Sequence, residues 1–244
     1  MKKLSVIILI PENQRHSPGF MRAMRSAQFA DEVLVVSQKS PIQDFAQVRN
    51  DAMEKAKGEW VFFLDSDEEV TAPLVEEVQQ VLKGQQGKGL QEKGFSIKRR
   101  DIFLGNWLKH GETSHVRLFR LGIKDAGQWE RPVHEVWKID GIIGELKEPL
   151  LHYSHQSVDN MMEKIDRYSG LDAQYRYYNQ SDRTRYNTFL FLSLVLYPAG
   201  KFIQNYFFRL GFLDGIPGFI HAAMMSMHSF LVRAKYWQTV NSKW

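Results

Sequence analysis

Cysteine is absent from all 244 residues. That excludes a disulfide framework, a thiolate metal site and a cysteine nucleophile, so nucleophilic or metal chemistry falls to carboxylates, histidines and hydroxyls. The same absence fits a reducing compartment. No apolar run approaches the roughly 20 residues that a bilayer-spanning helix needs. The amino-terminal Met1-Lys2-Lys3 followed by Leu4–Ile10 has the charge of a leader, but the apolar run is only seven residues long and no small-residue cleavage site precedes Pro11-Glu12-Asn13. It reads as a buried first strand. No internal repeat is visible, and the basic residues are not clustered as a nucleic-acid arm would have them. Acid is nearly missing from the last quarter. From Arg183 to Trp244, seven cations (Arg183, Arg185, Lys201, Arg209, Arg233, Lys235, Lys243) face the single anion Asp214, whereas the whole chain carries only +4. The chain is electrically two-part.

What remains is an ordinary globular composition, 43% hydrophobic and 25% charged, with length enough for a full core. Through the first eighty residues, β-branched apolar runs alternate with segments of helical period, the βαβ signature of a parallel sheet. Leu4–Ile10, Glu32–Val36 and Trp60–Leu64 read as strands. Residues 17–29, Phe45 to Ala56 and Pro73 to Lys83 read as helices, with Gly58 as a stop signal. A polar stretch from Gly84 to Gly94 follows. Short strands are then expected at Phe95–Lys98, Val116–Arg120, Ile142–Leu146 and Leu150–Tyr153, in mixed or antiparallel pairing. From Val158 to near residue 238 the pattern is helical, and its apolar segments read as amphipathic helices that lie in a membrane interface or pack on one another. The domain boundary is placed between 1–156, a catalytic α/β domain, and 157–244, a basic, apolar helical extension.

The strongest local signal is Asp65-Ser66-Asp67-Glu68, directly after the buried run Trp60–Leu64. Ligands of open α/β sheets bind beyond the carboxyl ends of strands. Two carboxylates at i and i+2 there make a hard oxygen site, suited to Mg²⁺ or Mn²⁺ with substrate phosphates completing the shell. A solvated acidic turn is the alternative on spacing alone.

An ordered series extends this turn: Ser5 to Pro11, Ala30 to Val33, Arg49-Asn50, Lys57 to Val61, then Asp65 to Asp67. It resembles the nucleotide-sugar-binding half of GT-A family 2 glycosyltransferases. The downstream runs Phe103–Gly111, Arg117–Arg120, Val133-His134-Glu135, Leu150–Ser154 and Gly211–Gly218 resemble the branch that builds lipopolysaccharide cores with glucose. The resemblance implies a GT-A α/β fold, a Rossmann-like mixed sheet flanked by helices, with a C-terminal helical extension. It implies an inverting, metal-dependent transfer of a hexose, glucose above others, from a nucleotide sugar such as a UDP-hexose to a lipid-linked glycan.

The resemblance places Pro11, Ser37, Arg49, Asp65 and Asp67 at the donor, and Asp67 with Asp65 at the divalent metal. It makes Glu135 the base, with His134 the other candidate. His152 is either a core histidine or a further metal ligand, and Arg49, Arg117 or Arg120 are candidates to pair with phosphate. Trp107, Lys109, His110 and Arg117 are candidates for the acceptor, Trp107 being equally suited to a core. The implied setting is cytoplasmic and peripheral, on the anionic inner face of the membrane, without nucleic acid. The pattern is departed from at strand two, which ends in Ser37 where similar sequences carry an aspartate, and at Pro11-Glu12-Asn13-Gln14 and Asp51-Ala52. These departures leave a catalytically degenerate membrane scaffold as an alternative. A nucleotidyltransferase, the third reading, wants a glycine-rich phosphate loop that Pro11 to Gly19 does not provide.

Overall fold

A computed structural model describes residues 4–38, 44–84, 91–131, 135–179 and 183–241, and the side chains of all of these except 179 and 183–190. Two compact units divide them. The first holds the chain through Arg100 together with His115–Tyr153, and the second holds Asp101–Ser114 and Ser154 onward. Chain order alone did not reveal that residues 101–114 group with the C-terminal helices.

The first unit is built on β1 (Leu4–Pro11), β2 (Glu32–Gln38) and β3 (Trp60–Asp65), all parallel, with β1 in the middle. Val6, Ile7, Ile8, Phe62 and Phe63 are fully enclosed, so both sheet faces are covered and these strands read as continuous apolar runs rather than alternating ones. Helices α1 (Pro18–Ser26), α2 (Phe45–Lys55) and α3 (Ala72–Gly84) follow β1, β2 and the short β4 (Glu68–Val70). Each start is explained locally. The Ser17 hydroxyl accepts the Phe20 N–H with Pro18 in the first turn, the Asp44 carboxylate accepts the Gln47 N–H, and the Thr71 hydroxyl accepts the Leu74 N–H.

The sheet continues past β3 through β7 (Arg117–Ile123), β5 (Glu92–Phe103) and β10 (Ile142–His155) to β4 at the edge. Antiparallel pairing of β7 with β3 and with β5 makes it mixed, as the sequence predicts. The pair of short strands expected at Ile142–Leu146 and Leu150–Tyr153 is instead one strand, β10. The polar interval that separates them in sequence has its backbone served from outside the ladder: Lys147 and Glu148 donate their N–H groups to the Glu77 carboxylate at 2.9 Å, and Pro149 has none to donate. A two-stranded hairpin, β8 (Gly127–Glu130) with β9 (Val136–Ile139), was not legible in the sequence. Its Gly127 has no room for a side chain, because a Cβ there would lie 1.9 Å from the Lys138 carbonyl oxygen.

In the second unit β6 (Asn106–Trp107) pairs with the end of β5, and α4 (Val158–Asn179), α5 (Arg183–Ile203) and α6 (Gly215–Asn241) supply the helices. Phe103, Leu108, Met161, Ile165 and Met224 form its core. His221 is buried against the Phe103 ring, centroids 5.6 Å apart. Burial pushes its imidazolium form down below the ordinary value near 6.5, against the pull of Glu112, Asp101 and Asp214; burial does the same to His228. The folded state therefore binds fewer protons than the unfolded chain as pH falls through about 6.5, and stability falls with it. Denaturant midpoints measured between pH 8 and pH 5 should decline, and His221→Gln should flatten the slope. A midpoint independent of pH in that range would refute the linkage. No helix among the described residues is long and apolar enough to cross a membrane.

Candidate active site

Register fixes the candidate donor end. Ser37 lies across from Ile10, and Asp65 across from Leu9, so Pro11, Ser37 and Asp65 finish three adjacent parallel strands along one edge. The Ser37 hydroxyl accepts a hydrogen bond from Arg15 Nε at 3.2 Å. Where similar sequences carry a carboxylate, this chain presents a hydroxyl and a guanidinium. Gly19, early in α1, sits so close to the acidic turn that a Cβ there would lie 3.0 Å from the Ser66 carbonyl oxygen.

Asp65 is bracketed by two buried arginines. Arg49 donates to its Oδ1 at 2.9 Å and Arg120 to its Oδ2 at 2.5 Å. Arg120 also donates to Glu68 Oε1 at 2.6 Å, while Glu68 Oε2 accepts the Asp65 N–H at 2.9 Å. Burial pushes the Asp65 carboxyl up, but the Arg120 and Arg49 charges more than reverse this and hold it well below the usual carboxylate range. Glu68 differs. Its side chain is 1% exposed against 33% for Asp65, and desolvation, aided by the Asp65 charge and opposed by Arg120, raises it. Burial works against the Arg120 charge, yet the two carboxylates beside it keep it firmly protonated.

Arg49 extends the cluster across the sequence. Its Nε and Nη2 donate to Glu135 Oε1 at 3.3 and 3.1 Å, which ties the residue just before β9 to the acidic turn 70 positions upstream. The guanidinium lies over the Trp129 ring at 4.6 Å and near the Phe63 ring at 5.3 Å. The hairpin carrying Glu135 is fastened to α2 next door: Asn50 Nδ2 donates to the Trp129 carbonyl at 3.0 Å, and Asn50 Oδ1 accepts the Trp129 N–H at 2.9 Å. Arg49 and Asn50 thus act as a pair, one holding the carboxylate and the other the strand before it. His134 lies outside the described residues.

Asp67 and His152 meet on the neighbouring strands. β10 pairs His152 with Glu68, and the Asp67 carbonyl accepts the Tyr153 N–H at 2.8 Å, leaving His152 Nε2 3.6 Å from Asp67 Oδ2. A carboxylate and an imidazole at that separation suit a divalent cation that takes its other ligands from substrate oxygens. Asp65 stands differently, since both of its oxygens accept from arginine. Among the described residues no three His, Asp or Glu side chains converge on one point.

The acceptor candidates divide between the units. Arg117, in the first, spends its guanidinium on the sheet: Nε donates to Ser96 Oγ, and Nη2 to the Ser96 and Leu146 carbonyls, with Glu145 at 3.5 Å. In the second, Trp107 is partly exposed with Lys109 Nζ 5.2 Å from its ring, and His110 donates its N–H to Asp214 at 2.8 Å while its Nδ1 lies 2.9 Å from the same carboxylate. Sequence reasoning missed Arg15, Glu68 and the pairing of Arg120 with Asp65. Arg15 and Glu68 stood within reach, next to the first strand and inside the acidic turn itself.

The candidate site is thus an acidic turn at the end of a central parallel strand, joined through Arg49 to a second carboxylate, Glu135. Residues 22–87 match the profile of Glycosyl transferase family 2. Over 201 residues, 81% of this chain and 71% of the relative, it is 26% identical to the lipopolysaccharide core biosynthesis glycosyltransferase LpsC of Rhizobium meliloti. Two solved structures of S. aureus TarS (residues 1–349) are similar along 99% of this chain. The complex with UDP is 12% identical and 92% covered, the complex with UDP-GlcNAc 13% and 93%, each with a TM-score of 0.42.

Proposed function

We propose that the chain transfers a hexose, with inversion, from a nucleoside-diphosphate sugar of the UDP-hexose type to a hydroxyl of a lipid-linked, lipopolysaccharide-core glycan at the cytoplasmic face of an anionic membrane. The observation that carries this reading is the Asp65–Arg49–Glu135 chain, three residues far apart in sequence whose charged groups are in contact. In the reaction the acceptor oxygen bonds to the anomeric carbon, the bond from that carbon to the β-phosphate oxygen breaks, and the nucleoside diphosphate leaves with the bonding pair. The hydroxyl proton goes to Glu135. Arg49 holds Oε1 of that carboxylate, and Oε2 is the oxygen assigned to the proton. Asp65, pinned at the strand end, is assigned to the donor's ribose. Asp67 and His152 would hold a divalent ion, Mg²⁺ or Mn²⁺, which when bound would supply positive charge at the diphosphate. His134, the preceding residue in sequence, is the further candidate for proton handling.

Calorimetric titration with UDP and UDP-glucose, with and without Mn²⁺, tests the donor half. Binding should require the metal, and Asp67→Ala should weaken it by at least about tenfold, since charged ligand contacts are worth roughly 1.5–3 kcal/mol. Metal-independent binding, or none, would remove the assignment of Asp67. Titration with GDP and dTDP in parallel reads what the Arg15–Ser37 edge selects.

A further inference from the structure

The second unit ends its α5 helix in a knuckle whose side chains are on the wrong side of the hydrophobic ledger for water. A five-residue π-helical turn (Gln204–Phe208) and a 3₁₀ turn (Gly211–Asp214) join α5 to α6. Six large apolar residues stand out from it: Phe207, Phe208, Leu210, Phe212, Leu213 and Ile216, with Phe208 80% and Ile216 76% exposed. Scattered exposed apolar residues need no explanation, but six within ten positions are a local concentration that does.

The knuckle is closely packed. A Cβ on Gly211 would lie 2.6 Å from the Asn205 carbonyl oxygen, and one on Gly218 2.0 Å from the Gly211 carbonyl oxygen, so the two turns and α6 are packed backbone to backbone. Leu210 is held at φ +58°, a left-handed conformation that a bulky residue keeps only where the surroundings enforce it, and its side chain is exposed.

The charge of the patch selects its occupant. Asp214, the one acid between residues 183 and 244, is 5% exposed and committed to His110. Glu112 is held by Lys201 and Asn205. Arg209 lies exposed between Phe208 and Leu210, and Lys109, also exposed, directly precedes His110, whose backbone N–H is bonded to Asp214 in the second turn. Apolar and aromatic residues flanked by cations, with the nearby acids neutralised, match the boundary between acyl chains and anionic headgroups. We propose that this knuckle is a membrane wedge: Phe207, Phe208, Leu210, Phe212, Leu213 and Ile216 insert into an anionic lipid monolayer while Arg209 and Lys109 meet its headgroups. The proposal rests on the membrane setting of the transferase reading and names the surface that creates it.

Co-flotation of the full chain with vesicles tests it. The protein should float with phosphatidylglycerol/phosphatidylethanolamine vesicles and weakly with phosphatidylcholine. Phe208→Ser/Phe212→Ser/Ile216→Ser should lower partitioning by at least about 100-fold, on the basis of roughly tenfold per apolar side chain returned to water. Arg209→Glu should lower it about tenfold on the anionic vesicles and little on the zwitterionic ones. Because the chain has no cysteine, Phe208→Cys carrying an environment-sensitive fluorophore reads insertion directly, as a blue shift on adding vesicles.

A triple variant that floats like the wild type, or a wild type that does not float, overturns the proposal. So does a wild-type dimer that the triple variant converts to monomer without any vesicle binding, which would make the patch an interface between copies. UDP titrations on the same samples separate the two readings. Lost flotation with intact nucleotide binding leaves the transferase standing, and the converse leaves the wedge standing.

Discussion

Glu135→Gln should lower kcat by about 10²–10⁴-fold while leaving donor affinity nearly unchanged, the range that removal of a general base produces. Glutamine keeps the length of the side chain and an oxygen that accepts from Arg49 at the position of Oε1. It removes the capacity to take a proton. The split between kcat and donor binding is therefore diagnostic: an interaction made only as the proton leaves the acceptor costs turnover, not ground-state affinity. Calorimetry with the UDP-hexose and steady-state assay of transfer give the two quantities. A variant that retains more than about a tenth of wild-type kcat would take the base away from Glu135 and move it to His134. Arg49→Lys sharpens the result, because a lysine cannot reach Asp65 and Glu135 together with a planar fork. That variant should fall between wild type and Glu135→Gln in turnover.

Arg120→Met should destabilise the first unit by about 3–5 kcal/mol, the cost of removing one partner from a buried ion cluster. The arginine, 6% exposed at its side chain, is the group that Asp65 and Glu68 share. Without it, two carboxylates joined through the Asp65 N–H face each other in a poorly solvated turn, and Glu68, already pushed up by burial, is expected to fold only as the neutral acid. Arg120→Met/Glu68→Met, which removes both buried partners, should recover much of the loss, since apolar replacement of a whole buried pair is often neutral. Urea denaturation of the two variants and the wild type gives the comparison. A single variant as stable as wild type would mean that the cluster carries no structural weight.

The first half of the sheet was legible because its cause is local. β1 and β3 are long enough and apolar enough to announce burial on both faces, and an acidic turn after the second is visible to anyone reading along the chain. Helices α1 to α3 were legible for the same reason, with Ser17, Asp44 and Pro73 near their starts. What sequence did not show depends on contacts through space. Arg49 reads as a candidate for phosphate until its partners, Asp65 at 16 positions and Glu135 at 86, are known. Arg117 and Arg120 are three residues apart on one strand and equally plausible as anion binders; the structure turns one to carbonyls of β5 and β10 and the other to the acidic turn. The β10 strand was broken in two because Lys147-Glu148-Pro149 looks like a turn, and only the Glu77 carboxylate, reaching from α3, explains why the chain stays extended.

The hairpin that bears Glu135 also brings two indoles into register. Trp129 pairs with Trp137, and their rings stack 5.5 Å apart at 21°, with Phe63 edge-on to both. Two indoles at that spacing couple their intense far-ultraviolet transitions, so the far-ultraviolet circular dichroism of this protein is expected to carry an indole–indole contribution that is lost when the β8–β9 pairing opens. Because the Arg49 guanidinium lies over one of those rings, an event that shifts the arginine is expected to change that contribution. The hairpin proposed to carry the base would then hold its own optical clock, and stopped-flow mixing with a nucleotide sugar would read it without a label.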